Sequence, residues 1–199
     1  AGSCGSQNIG ADDAYFHGSN LEQILRFTRS GNAAECATII ETDNLTPDVG
    51  LEYGRGFHIP ISTPFRLVGT GTDANGDELF FNWEQFDSGP ASPIEDPAGN
   101  APLFRSVPPA TDGNVRYFPR LDRIVNDISS LTEVLPTYTR DLTFRLIARD
   151  FHPEAGGADW EELAFSSTEE AGPFLVNDPT DPFWEVGEAR EISWDVANT

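Results

Sequence analysis

The sequence predicts a mainly β fold of short strands with one helical segment ahead of it. Three observations carry this expectation. Proline (15) and glycine (18) are spread along the 199 residues instead of clustering, which divides the chain into short elements joined by turns. Aromatic residues make up 11% of a chain whose 38% hydrophobic content suffices for a real core. Apolar residues also recur with a period of two through the middle and later parts of the chain, the spacing of half-buried strands.

The helical exception comes first. Ser19-Asn20-Leu21-Glu22 reads as a capping box, Leu21, Ile24, Leu25 and Phe27 follow at helical spacing, and Gly31 stands where a C-cap belongs. Residues 1–46 therefore hold one amphipathic helix of about three turns, whose apolar stripe needs a partner surface.

From Phe57 the period becomes two. Phe65 and Leu67 lead to Leu79, Phe81 and Trp83, which alternate with Phe80, Asn82 and Glu84; later Leu142, Phe144, Leu146 and Ala148 alternate with Thr143, Arg145, Ile147 and Arg149. A tryptophan in a central strand and turn signals such as Asn75-Gly76 suggest an immunoglobulin-like β-sandwich over residues 47–171. Within it, the turn-rich stretch of about 87–136 reads as a long insertion across one face, with a short helix in LDRIVNDISSL. Trp160 to Phe165 reads as the last strand. Strands near Phe174–Val176 and Glu191–Val196 would begin a second β module over 172–199, because a two-stranded unit alone is marginal in water.

Charge narrows the partners. There are 33 acidic residues against 12 basic ones, every basic residue is arginine, and the formal net charge is −21. Neutralising phosphate needs a basic surface, which this balance does not supply, so nucleic acid and anionic membrane are poor partners. Such a surface is most comfortable where salt shortens the Debye length, which fits a marine or halophilic source. No stretch approaches the length of a membrane-spanning helix. Two cysteines, Cys4 and Cys36, in an acidic chain of this kind point to one disulfide worth roughly 3 kcal/mol.

Candidate chemistry is sparse. His17, His58 and His152 share no i, i+4 relation and have no glutamate beside them, so spacing builds no zinc site; His17 reads as packing or capping. There is no G-x-S-x-G elbow. In TDANGDELFFNWE, residues Asp73, Asn75, Asp77 and Glu84 match the oxygen-ligand spacing of a calcium loop, although the glycine is Gly76 and not at the sixth position. A polar hairpin turn on Asn75-Gly76 is the plainer reading, and calcium bound by a different subset of these oxygens is the alternative. A second acidic stretch, DFHPEAGGADWEE, could bring Asp150, Glu154 and Asp159 to the same end, or be a solvated loop. Trp160, Phe183 and Trp184, with Phe80 and Phe86, are candidates for a binding platform or for domain packing.

AGSCGSQNI, DDAYFH, the helix from Ser19 to Ile24 and Cys36 resemble the end of the catalytic domain of secreted bacterial reprolysin-like zinc metallopeptidases of the metzincin clan. STPFRLVGTGTDANGDELFFNWEQFDSGP, PLFRSVPP, YFPRL, EVLPTYTRDLTFRLIARD and AGPFLV…WEVGEAREISWDVANT resemble the module that follows it and the start of another. The zinc motif H-E-x-x-H-x-x-G-x-x-H is missing. The resemblance implies a secreted, extracellular parent whose zinc lies in its catalytic part, and a non-catalytic fragment here that serves substrate binding, positioning or stability. Its partners would be the remainder of the parent protease and a protein or polysaccharide substrate. The competing expectation is a self-standing extracellular adhesion or assembly protein, calcium-stabilised, whose strands exchange with neighbouring copies.

Overall fold

The computed structural model describes residues 14–36, 38–54, 56–177 and 183–198. The chain is mainly β. Helix α1 (Gly18–Arg29) is followed by β1 (Asp48–Leu51), β2 (His58–Pro60), β3 (Phe65–Thr72), β4 (Leu79–Gln85) and β5 (Val115–Phe118). Then come the short helix α2 (Leu121–Val125), the long strands β6 (Arg140–Asp150) and β7 (Ala158–Thr168), and β8 (Leu175–Val176) with β9 (Trp194–Asp195).

The strands form a three-stranded sheet in the order β1-β3-β5, a four-stranded sheet in the order β2-β7-β6-β4, and a two-stranded β8-β9 sheet. Within the larger sheet β6 pairs antiparallel with both β4 and β7, while the short β2 lies parallel to β7. The alternating residues meet where their period demands. Phe81, Trp83, Phe144, Leu146, Ala148, Leu163 and Phe165 of the four-stranded sheet share one core with Val49, Leu67 and Phe118 of the three-stranded sheet. Within the three-stranded sheet Phe65 stacks on Phe118 at 4.9 Å between centroids, and Phe118 joins the layers by meeting Phe144 at 4.8 Å. Trp83 is fully buried, and its indole N–H is satisfied by the Asn114 carbonyl at 3.0 Å. Gly69 is required by the close approach of β3 to this core, since a Cβ there would stand 2.3 Å from Leu146 Cδ2 and 2.9 Å from the Gly50 carbonyl oxygen.

Several expectations are corrected. The Asn75-Gly76 turn joins β3 to β4, which belong to different sheets, so it is a passage across the core and not a hairpin. The 87–136 stretch is not wholly an insertion, because β5 within it completes the three-stranded sheet; α2 falls where a short helix was expected. Helix α1 begins one residue before Ser19, with His17 as N-cap and no side-chain cap, so the capping box does not form. Its C-cap is Ser30, and Gly31 has φ −96°, outside the left-handed region.

The two final strands pair with each other, Leu175 with Asp195 and Val176 with Trp194. They are tied back to the main body by hydrogen bonds from Gly172 N–H to the Ala197 carbonyl at 2.9 Å and from Phe174 N–H to Thr63 Oγ1 at 2.9 Å. Cys36 is an exposed free thiol; its expected partner, Cys4, lies outside the described residues. Among the described residues no helix is long and apolar enough to cross a membrane.

Candidate functional site

The second face of the four-stranded sheet carries polar residues on β4, β6 and β7, and alternation alone would turn that face to water. The structure buries the part of it on β4 and β6. Cross-strand pairing sets Glu84 opposite Arg145 and Arg145 opposite Glu162, with Asn82 opposite Ile147. Asn82, Glu84, Arg145, Ile147 and Arg149 are all buried, because the segment from Tyr15 through Glu22 lies across them.

Glu84 is the centre of this interface. Its Oε2 accepts the Gly18 N–H at 2.8 Å, and its Oε1 accepts from Asn82 Nδ2 at 2.8 Å and Ser106 Oγ at 3.1 Å. His17 Nδ1 stands 3.4 Å from the same Oε1. A carboxylate contributed by a strand therefore satisfies a free N–H of the first helical turn and faces the positive end of the helix dipole, work that a side-chain cap would otherwise do. Ser19 and Glu22 are thus released from capping: Ser19 Oγ donates to Asn20 Oδ1 at 3.3 Å, and Glu22 pairs with Arg145 Nη1 at 3.0 Å.

Two arginines complete the interface. Arg149 bonds Asn82 Oδ1 and donates to the Phe16 carbonyl at 2.8 Å; burial lowers its pKa, opposed by the nearby Glu84 charge. Arg145 pairs with Glu22 and Glu162, and its guanidinium lies 3.6 Å from the Phe86 ring centroid and 5.0 Å from that of Trp160. Phe86 and Trp160 are therefore half-buried supports for a cation and do not form an open platform. Phe183 and Trp184 are exposed, beside the β8-β9 unit and far along the chain from Trp160.

Glu84 is thereby separated in role from the turn with which its spacing grouped it. At that turn Asp73 Oδ1 accepts the N–H groups of Asn75 (2.8 Å) and Asp77 (3.1 Å), and Gly76 takes φ +83°, a left-handed conformation suited to glycine. Asn75 docks the turn on the preceding segment: its Oδ1 accepts Leu45 N–H at 2.7 Å and its Nδ2 donates to the Asp43 carbonyl at 2.9 Å. Three oxygens in this neighbourhood, Asp73 Oδ2, Asp77 Oδ2 and Asn44 Oδ1, are sealed from solvent without a hydrogen-bond donor. Asp150, which spacing alone could not place, is fully engaged, accepting from Asn44 Nδ2 at 3.1 Å, Gly157 N–H at 2.8 Å and His152 N–H at 3.2 Å.

The three histidines lie apart. His17 faces Glu84, His58 Nδ1 is 2.6 Å from Ser166 Oγ, and His152 Nδ1 accepts Glu154 N–H at 3.4 Å. Among the described residues no three of His, Cys, Asp or Glu form a group that could hold a metal ion.

A groove of about 510 Å³ opens where α1 meets the ends of β6 and β7. Phe16 and Phe151 stand at it 62% and 63% exposed, and neither was among the aromatic residues that the sequence offered for binding. The chain matches no protein-family model, curated protein or solved structure.

Proposed function

We propose that this chain is the non-catalytic C-terminal part of a secreted zinc metalloendopeptidase. In this reading residues 47–171 are an immunoglobulin-like module that holds the terminal helix of the peptidase domain, and residues 172–199 begin a second β module. One observation carries it: the N-terminus of α1 is seated on the sheet by the buried Glu84 carboxylate. A module built only as a tethered appendage would not bury charged groups against the preceding helix; one that stabilises or orients that helix would. The exposed apolar residues of the β8-β9 unit, Trp194 and Ile192 among them, are the surface that further strands of a second module would cover.

Zinc belongs to the absent catalytic part in this reading, where it would supply an activated water for peptide hydrolysis. The test has two arms. Added zinc leaves this chain inactive on casein, and mass spectrometry of the source protein finds peptides bearing the zinc motif upstream of Ala1 in the same polypeptide. Casein hydrolysis by the chain, or a mature source protein starting at Ala1, rejects the proposal.

A second reading, a self-standing extracellular adhesion or assembly protein joining neighbouring copies, is favoured by two orphaned oxygens of the Asp73–Asp77 turn and a third on Asn44, in the segment on which that turn docks. Asp73, Asp77 and Asn44 offer oxygen-only ligation of the type calcium takes in extracellular modules, with dissociation constants of about 10⁻⁴–10⁻³ M. Calorimetric titration would register calcium binding, and thermal stability would rise with it. Absence of heat at millimolar calcium removes this support.

A further inference from the structure

The groove between α1 and the main body is lined on one side by Leu21, Leu25 and Arg29, one ridge of the helix, and on the other by Phe151 and Ala158. Pro108 and Pro109 lie along it, and Phe16 rises at its rim. Its volume, about 510 Å³, is that of a site for a short ligand segment.

What the groove can recognise follows from which of its polar groups are already used. The Tyr15 hydroxyl bonds Ser106 Oγ at 2.6 Å. Arg149 is held by Asn82 and the Phe16 carbonyl, and Asp150 by Asn44 and Gly157. A sugar needs several free donors and acceptors around its stacked ring, and displacing these internal bonds would leave buried groups unpaired. Apolar side chains need none. Arg29 is the exception: its side chain makes no hydrogen bond or ion pair among the described residues. Arg149 and Asp150 also line the groove but are buried, so Arg29 is the exposed charge that a ligand there meets.

We propose that this groove binds an extended segment of a protein substrate, placing an aromatic or aliphatic side chain against Phe16 and Phe151 and a carboxylate one or two residues away against Arg29. This rests on the reading of the chain as an accessory module of a peptidase and names its substrate class. Aromatic rims supply apolar area, and the cation fixes direction along the groove.

The experiment is fluorescence anisotropy on the full chain with two labelled peptides, Gly-Pro-Phe-Asp-Pro-Gly and its counterpart with Asn for Asp. The Asp peptide binds with a dissociation constant of about 10⁻⁴ M, and the Phe151→Ala variant weakens it about tenfold. Arg29→Gln weakens the Asp peptide and leaves the Asn peptide unchanged, a split that a purely structural loss would not produce. Both side chains are exposed, and unchanged circular dichroism verifies the fold of each variant. No binding up to about 1 mM overturns the proposal. So does binding indifferent to Phe151→Ala, or binding of a cello-oligosaccharide in place of the peptides. Peptide binding seen only in a chain shortened to start at Ala14 also overturns it, by making residues 1–13 the occupant. None of these results bears on whether the parent carries a zinc motif, which the source protein decides separately.

Discussion

Arg116 on β5 donates through Nη2 to Glu133 Oε1 at 3.1 Å, with both side chains almost sealed from water. The guanidinium also donates to the carbonyls of Trp83 and Arg105, each at 2.7 Å, so a single cation fastens three separate segments. Burial lowers its pKa, and the Glu133 carboxylate opposes that shift. Removing the acid while keeping the cation leaves an uncompensated buried charge. Glu133→Ala is expected to cost about 3–5 kcal/mol in urea unfolding, and Glu133→Gln less, because its amide oxygen still accepts. Equal losses for the two variants would contradict this account.

Glu84 makes a different kind of contact, from sheet to helix. Glu84→Ala removes the acceptor for Gly18 N–H and the charge facing Arg149, and is expected to destabilise by about 2–4 kcal/mol. Hydrogen exchange should locate the loss, with protection falling in residues 18–29 before it falls in β6. Uniform loss across both would mean that the helix is not separately held.

The third prediction concerns pH. Asp87 accepts from Gln85 Nε2 at 2.6 Å and Thr143 N–H at 3.0 Å, and lies 3.5 Å from Arg140 Nη2. Burial nevertheless raises its pKa, with the Gln85 bond and the Arg140 charge working against that rise. A carboxyl whose pKa is higher folded than unfolded holds more proton in the native state. Its favourable contribution is therefore present below the ordinary Asp range, near pH 4, and is lost as pH rises through the raised value. The stability difference between Asp87→Asn and the parent chain, followed from about pH 3 to 7, should move in favour of the variant. A flat difference would show that Asp87 titrates as an ordinary carboxyl.

Gly172 governs the junction to the β8-β9 unit. Its φ is +115°, and an added Cβ would stand 2.6 Å from the Ile61 carbonyl oxygen and 2.8 Å from Ile61 N, backbone atoms that cannot swing aside. Gly172→Ala is expected to release the β8-β9 unit, exposing residues 174–196 to limited proteolysis while the main body melts within about 1 kcal/mol of the parent. Unchanged cleavage would show that the junction yields without strain.

The core was legible in the sequence because Leu79, Phe81 and Trp83 of β4 and Leu142, Phe144, Leu146 and Ala148 of β6 recur with a period of two, and they fall inside as that period requires. The opposite face was not. Asn82, Glu84, Arg145 and Arg149 look like solvent-facing residues until the Tyr15–Glu22 segment covers them, and period carries no information about what lies above a sheet. Asn75-Gly76 marks a tight turn correctly but is silent on whether its strands pair or cross between layers. Trp160 was a candidate for binding by residue type alone, whereas Arg145 lies over its ring. The groove has Leu25 and Phe151 in one lining, a grouping that no local signal encodes.

The long reach of α1's contacts also sets an order in time. Gly18 waits for Glu84, 66 residues later, Glu22 for Arg145, 123 residues later, and Phe16 for Arg149, 133 residues later. A helix of 12 residues has little persistence alone in water. On a ribosome, the earliest of these elements to emerge is thus the last that can close. Until β6 is in place, Leu21 and Leu25 of the helix stay available to other surfaces, and a chaperone or a neighbouring nascent chain meets them first.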